Sequence, residues 1–338
     1  MTDIQKRKQD HIDLARQARH QMPLNRELEL VRFEHMALPE LDLQTIDITC
    51  TFLDKHCNSP IIIGAMTGGC DAGETINRHL AEAAEHCMIP MALGSQRAAM
   101  ELNLKQSIRE WAPNAILLSN LGGTQLAKGG LALAQSTVES VSANALVVHL
   151  NPLQELSQTS GDHDWTGVLR AIETCCLNLN VPVIVKEVGA GIGPMVARSL
   201  INAGVRHIET AGSGGTNWAS IELERNPSLR EQEIMQPFLN WGMRTYDLLP
   251  LLRKIDANID LQLIGSGGIR SGLDVARCIR LGANMVAIAQ PFLEPALRSS
   301  DDVIDKLNII NEQLRRTMFL TGSADLDALS LALLEQTS

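Results

Sequence analysis

The sequence predicts a closed (β/α)8 TIM barrel, and three observations carry that expectation. Eight short apolar segments recur from residue 60 onward. Stretches with apolar residues at three- and four-residue spacing, such as "GETINRHLAEAAEHC", separate most of them, as amphipathic helices would. Each apolar segment ends in glycines or polar side chains. Parallel strands buried on both faces read as unbroken apolar runs, and a barrel gathers all its strand ends on one rim. An open doubly wound sheet is the rival, but no GxGxxG follows the first strand and the polar signals are not confined to one switch point.

The segments run in order as "PIIIGAMTGG" from Pro60, "IPMALGSQR" from Ile89, "AILLSNLGG" from Ala115 and "ALVVHLNPLQE" from Ala145. "PVIVKEVGAG" from Pro182, "VRHIETAGSGGT" from Val205, "LQLIGSGGIRSG" from Leu261 and "NMVAIAQP" from Asn284 complete the set. Residues 1–59 precede the first strand and read as an extension with a charged helix, expected to contribute to the substrate site. Residues 60–338 form the barrel catalytic domain, so the chain is one domain overall. The connection 217–242 after the sixth strand is unusually long, and its charged "ELERNPSLREQE" reads as a solvated loop. Residues 294–338 carry no functional motif, and "DDVIDKLNIINEQLRRTMFLTG" reads as a packing or interface helix.

With 338 residues, 45% hydrophobic, the chain is long enough for one large core. A net charge of −10 and only 3% aromatic residues argue against nucleic acid or an anionic membrane as the main partner. Seven scattered cysteines without metal-type spacing read as reduced thiols of a cytoplasmic protein. The charged start, "MTDIQKRKQDHIDLARQ", does not resemble a signal peptide, and no apolar run reaches membrane-spanning length. An enzyme acting on a small molecule is the expectation.

The strand ends carry the chemistry. "GSGGIRSG" after strand seven exposes backbone N–H groups at Gly267 and Gly268, with Arg270 and a helix N-terminus adding positive potential. Ala289 and Gln290 after strand eight complete a phosphate site in the position where barrels keep one. Small residues at the first two strand ends, including Ala65, Met66, Thr67 and Ser95, leave room for a flat ring whose edge Thr67, Ser95 and Asn120 can hydrogen-bond. Lys186 inside "PVIVKEVG" places a cation where an anionic flavin would need one, with a structural salt bridge inside the barrel as the competing reading. Phosphate, ring platform and inward lysine point together to FMN. In "VVHLNPLQE", strand alternation puts His149 and Asn151 on one face. Arg7, Lys8, Arg97 and His149 are the candidates for a second anion site suited to a diphosphate, with Glu155 to hold a Mg²⁺ shared with it, although "KRKQDH" taken alone reads as a solvated basic terminus.

The ordered set "RKQDHI", "MTGG", "GSQR", "SNLG", "HLNPLQE", "VKEVG", "GGTNWASIE" and "GSGGIRSGLD" resembles the type 2 isopentenyl diphosphate isomerases, FMN-dependent (β/α)8 enzymes, from residue 7 to about residue 293. The glycine motif is shared with other FMN barrels; "HLNPLQE", the amino-terminal "RK" and "GTNWASIE" discriminate. The resemblance implies interconversion of isopentenyl and dimethylallyl diphosphates in isoprenoid biosynthesis by reduced FMN with Mg²⁺. It adds Thr216 to the flavin contacts, and Asn151, Gln154 and Trp218 to the substrate site. Gln154, Glu222 and Lys186 become the catalytic set, with Trp218 and Glu222 closing the pocket near the isoprene unit. It also implies NADPH as reductant and a homo-oligomer, tetramer or octamer. The competing expectations are an FMN oxidoreductase of the hydroxy-acid oxidase or inosine monophosphate dehydrogenase type, and a non-catalytic flavin-binding barrel.

Overall fold

The computed structural model describes residues 3–21, 28–66, 70–102, 104–255 and 259–335. The eight apolar segments form eight strands: β1 (Ile61–Ile63), β2 (Met91–Ala92), β3 (Leu117–Gly122), β4 (Ala145–His149), β5 (Val183–Lys186), β6 (His207–Glu209), β7 (Gln262–Gly265) and β8 (Met285–Ile288). Each pairs in parallel with the next, and β8 pairs back to β1, so the sheet closes.

Closure explains why the strands lack visible apolar–polar alternation. Alternate residues face two different apolar environments. Ile62, Ala92, Leu118, Val147, Ile184 and Ile264 share the cluster inside the barrel. Their neighbours Ile61, Ile63, Leu117, Leu146, Val148 and Val185 belong to the larger cluster under the helices. An antiparallel ribbon, Cys50–Phe52 with Lys55–Cys57, adds Phe52 and Cys57 to the inner cluster at the amino-terminal end of the strands. The Phe52 ring meets His207 edge-on, 6.1 Å between centroids.

The period of two also fixes the mouth. One step beyond the inner apolar layer come Gly64, Gly94 and Ala289 on the β1, β2 and β8 side, and His149, Lys186 and Glu209 on the β4, β5 and β6 side. One half of the rim is therefore low and small, while the other carries long polar groups.

The connection 217–242 departs from the expected solvated loop. It holds two helices, Trp218–Arg225 and Leu229–Met235, followed by a 3-10 turn at Gln236–Phe238. Asn217 caps the first by accepting from Ser220 N, and Ser228 caps the second by accepting from Glu231 N. Pro227 stands between them, where it cannot continue the first helix. The high charge belongs to the outer faces, whereas Ile221, Glu222 and Leu223 are buried.

The helix Asp3–Ala15 of the extension reaches the mouth, where Asp10 pairs with Arg225 at 2.9 Å and Arg16 with Glu294 at 2.5 Å. Gln21 then forms an isolated bridge with Thr216. At the other end of the chain, helix Ser300–Leu320 packs on the helices Asp71–Cys87 and Gly272–Arg280.

Candidate active site

Residues following the strands enclose a cavity of about 230 Å³ at the carboxyl-terminal mouth. Its floor on the β1, β2 and β8 side is Gly64, Ala65, Gly94, Ser95 and Ala289, a low surface for a planar ring. Met66 borders it, and Thr67 lies outside the described residues.

The loops after β6 and β7 meet through glycine. Gly267 has φ +102°, and a Cβ there would lie 2.1 Å from Gly212 O, so no other residue fits. The helix starting at Gly272 is already closed by a capping box between Ser271 and Asp274. The next one, Gln290–Arg298, has no side-chain cap at Ala289 and begins on the cavity wall. The helix terminus expected to meet a phosphate, the one after β7, is thus already capped; the uncapped terminus at the cavity is the one after β8, with Gly268 and Arg270 lining the same cavity from the β7 loop. Arg270 Nη1 donates to Gln290 Oε1 at 3.3 Å, while its Nε is buried without a hydrogen-bond partner among the described residues. A buried guanidinium N–H lacking an acceptor fits an anion in this cradle. The floor, the glycine loop and Arg270 together fit FMN.

Arg7 Nε is the second orphaned arginine atom. Arg7, Lys8 and His11 follow one another along one face of the extension helix and line the cavity. Burial, reinforced by Arg7, brings the Lys8 ammonium down to about 8. Arg97, starting the helix after β2, reaches the wall with its Nε bonded to Glu101 at 2.7 Å.

At β4, Asn120 Oδ1 lies 2.8 Å from His149 Nδ1, and Asn120 Nδ2 donates to Leu93 O at 2.8 Å. The amide oxygen is an acceptor, so Nδ1 carries the proton and Nε2 is left with a lone pair. Loss of water, with Lys186 and Lys8 nearby, pulls His149 down to about 3, and it is neutral at ordinary pH. Asn120 therefore orients His149 and keeps one N–H for the ring edge.

Lys186 Nζ donates to Glu187 O at 2.6 Å and pairs with Glu209 Oε1 at 3.3 Å; both side chains are buried. The salt bridge and the cavity position coexist, because an ammonium has three N–H groups. Ser266 Oγ donates to the same Glu209 oxygen. Thr216 also lines the cavity, its hydroxyl donating to Gln21 Oε1 at 3.2 Å.

Gln154 is held at both ends of its amide. Its Nε2 donates to Glu222 Oε1 at 3.2 Å, and its Oε1 accepts from Asn151 Nδ2 at 3.2 Å. Glu222 is wholly buried behind the wall rather than on it. It accepts from Arg225 Nη1 at 2.9 Å and lies 2.8 Å from His11 Nε2. Burial alone would raise its carboxyl, but His11, Arg225 and Gln154 outweigh that and hold it at about 2. Burial moves His11 down, and its ring meets Trp218 edge-on at 5.2 Å. His11 was not among the residues singled out from sequence, although its helical spacing from Arg7 and Lys8 was a usable signal.

Glu155 takes one hydrogen bond on each oxygen, from Asn151 Nδ2 at 2.9 Å and Asp162 N at 2.7 Å. No group of three or more His, Cys, Asp or Glu side chains among the described residues is arranged to hold a metal. Glu155 thus fits Mg²⁺ only as one protein ligand of an ion completed by phosphate oxygens and water.

A family model for FMN-dependent dehydrogenases matches residues 127–336. The chain is 45% identical over 338 residues to an isopentenyl-diphosphate delta-isomerase of Stutzerimonas stutzeri (strain A1501), covering 98% of this chain and 97% of that one. Another isopentenyl-diphosphate delta-isomerase, from Pseudescherichia vulneris, is 45% identical over 96% of this chain and 95% of its own. A mandelate oxidase mutant with a C4a-OH-FMN adduct superposes with a TM-score of 0.69 at 17% identity, covering 99% of each chain. A lactate oxidase of Pediococcus acidilactici gives a TM-score of 0.67 at 16% identity, covering 99% of this chain and 88% of its own. These two likenesses concern the fold alone. Barrel, glycine cradle and family match define an FMN flavoprotein of the FMN-dependent dehydrogenase class. Within that class, the chain belongs to the isopentenyl-diphosphate delta-isomerase family and is an isomerase.

Proposed function

We propose that this enzyme interconverts isopentenyl and dimethylallyl diphosphates by a 1,3-allylic proton shift in isoprenoid biosynthesis, with FMN in its reduced form, Mg²⁺, and NADPH as reductant. The observation that carries the reading is the pair of orphaned arginine atoms, Arg270 Nε on the β7 loop and Arg7 Nε on the extension, in one cavity. A flavin phosphate accounts for the first; the second calls for a substrate that is itself a strong anion. The oxidoreductase reading draws on the FMN-dependent dehydrogenase family match and on fold likeness at 16–17% identity, whereas the relatives at 45% identity are isomerases.

When bound, FMN supplies a ring face for proton transfer to the alkene and negative charge to stabilise the electron-poor tertiary carbon. Arg7, Lys8 and Arg97 bind the diphosphate, and Glu155 holds its Mg²⁺. Neutral His149 meets the diphosphate through Nε2, whose lone pair accepts a hydrogen bond from P–OH. Gln154, fixed by Asn151 and Glu222, presents its amide to the allylic carbons. The low carboxyl pKa of Glu222 makes it a standing acceptor rather than a resting place for a proton, so its part is to orient Gln154 and His11. Trp218 borders the isoprene end. The extension is accordingly part of the substrate site.

The two anion sites give crossed expectations. Arg7→Ala raises the KM for isopentenyl diphosphate by about tenfold or more, with FMN content unchanged. Arg270→Ala loses FMN on gel filtration. Flavin absorbance and initial rates check both, and the same deficit in each variant would merge the two sites.

We also propose a cytoplasmic homo-oligomer, tetramer or octamer. No helix among the described residues is long and apolar enough to cross a membrane. Proton NMR of isopentenyl diphosphate with FMN-loaded protein and Mg²⁺, under anaerobic conditions, tests the function directly. Dimethylallyl diphosphate is expected only after NADPH reduction and without stoichiometric NADPH use. No conversion with bound, reduced flavin would overturn the reading.

A further inference from the structure

The geometry points to Asp162 as a positioning residue that holds the Arg97 arm and the Glu155 carboxylate in register, so that a diphosphate and its cation are received as one unit. This rests on the diphosphate reading above.

Asp162 ties together three successive βα units. Its backbone N–H donates to Glu155 Oε2 at 2.7 Å. Its side-chain Oδ2 accepts from Gln125 Nε2 at 2.9 Å and Thr124 Oγ1 at 3.3 Å, both on the helix after β3. Oδ1 pairs with Lys128 on that same helix, and Oδ2 lies 3.6 Å from Arg97 Nη1 on the helix after β2. The segment is pinned from behind. Trp165 Nε1 donates to Asp162 O at 3.0 Å, and a Cβ on Gly161 would lie 1.8 Å from Glu155 O, so glycine alone allows this approach.

A carboxylate beside a polyanion site opposes the ligand unless cations offset it. Lys128 and Arg97 provide two. Arg97 has a competing partner in Glu101 on its own helix. Asp162 engages the other side of the guanidinium, through Nη1, while Nε stays with Glu101, and Gln125 reaches the cavity wall with its amide already oriented. Of this cluster, Arg97, Gln125 and Glu155 line the cavity, whereas Asp162 acts through them.

The test is Asp162→Asn, which keeps the shape and removes the charge. KM for isopentenyl diphosphate and the half-saturating Mg²⁺ concentration should each rise on the order of tenfold. Turnover at saturation should change by less than about twofold, with parental FMN content and unfolding midpoint. Asp162→Glu should restore part of the affinity. Calorimetry of Mg²⁺–pyrophosphate with the FMN-loaded protein should show the same loss. A lower KM in Asp162→Asn would mean that Asp162 merely repels the ligand and would overturn the inference. Unchanged pyrophosphate affinity with falling turnover, FMN content and stability would overturn it too, as a structural role. If the parent protein fails to isomerise isopentenyl diphosphate, the proposed function fails, and the pyrophosphate affinities alone decide the role of Asp162.

Discussion

Replacing Gln154 with alanine is expected to lower turnover by about 10²- to 10⁴-fold while FMN remains bound. Gln154 is the cavity-lining amide whose two polar ends are already fixed, by Asn151 on its own turn and by Glu222 across 68 residues of chain. Alanine removes the cavity-lining amide proposed to face the allylic carbons but leaves the Arg270 cradle and the β1, β2 floor intact. Glu222→Gln should also reduce turnover, through a different route. The carboxylate receives three partners, and neutralising it frees Gln154 and His11 from a fixed acceptor. Because Glu222 lies behind the wall, its effect passes through the residues in front of it, and residues acting as a unit are not additive. The double variant should therefore fall little below Gln154→Ala alone. Multiplication of the two losses would give Glu222 an independent catalytic role.

The same network shows where sequence reading stops. The barrel was legible because eight apolar runs with small or polar ends are a local pattern, and local patterns survive translation into strands. Lys186 was legible because a lysine closing "PVIV" must either turn inward or break the strand; it turns inward over Ile184. His11 and Glu222 stand 211 residues apart, and their hydrogen bond depends on how the extension crosses the mouth, which no periodicity encodes. The helices in 217–242 were hidden for another reason. Their caps, Asn217 and Ser228, were present, but dense charge around Pro227 read as solvation when it was one face of short amphipathic turns. At the β7 loop the glycine turn was legible and the capping of the helix after it was not. "SGLD" closes its own helix, and the terminus without a side-chain cap is that of the helix after β8.

Lys186→Met should abolish measurable turnover and also destabilise the protein, and the two effects can be separated. Lys186 and Glu209 form a buried pair at the ends of β5 and β6, so removing the ammonium leaves Glu209 with Ser266 Oγ as a neutral donor. Breaking such a pair from one side typically costs about 3–5 kcal/mol, whereas replacing both partners with neutral groups of similar shape is often nearly neutral. Chemical denaturation of the FMN-loaded single variant and of Lys186→Met/Glu209→Gln should therefore show a loss and then a recovery. Turnover should not follow the recovery. Lys186 retains one N–H beyond its bonds to Glu187 O and Glu209, on a strand end that faces the ring floor across the cavity. In the proposed reaction its positive charge offsets a reduced, negatively charged flavin, and restoring the fold does not restore the charge. Recovery of both stability and turnover in the double variant would reduce Lys186 to a structural ion pair, the alternative its buried partner most directly invites.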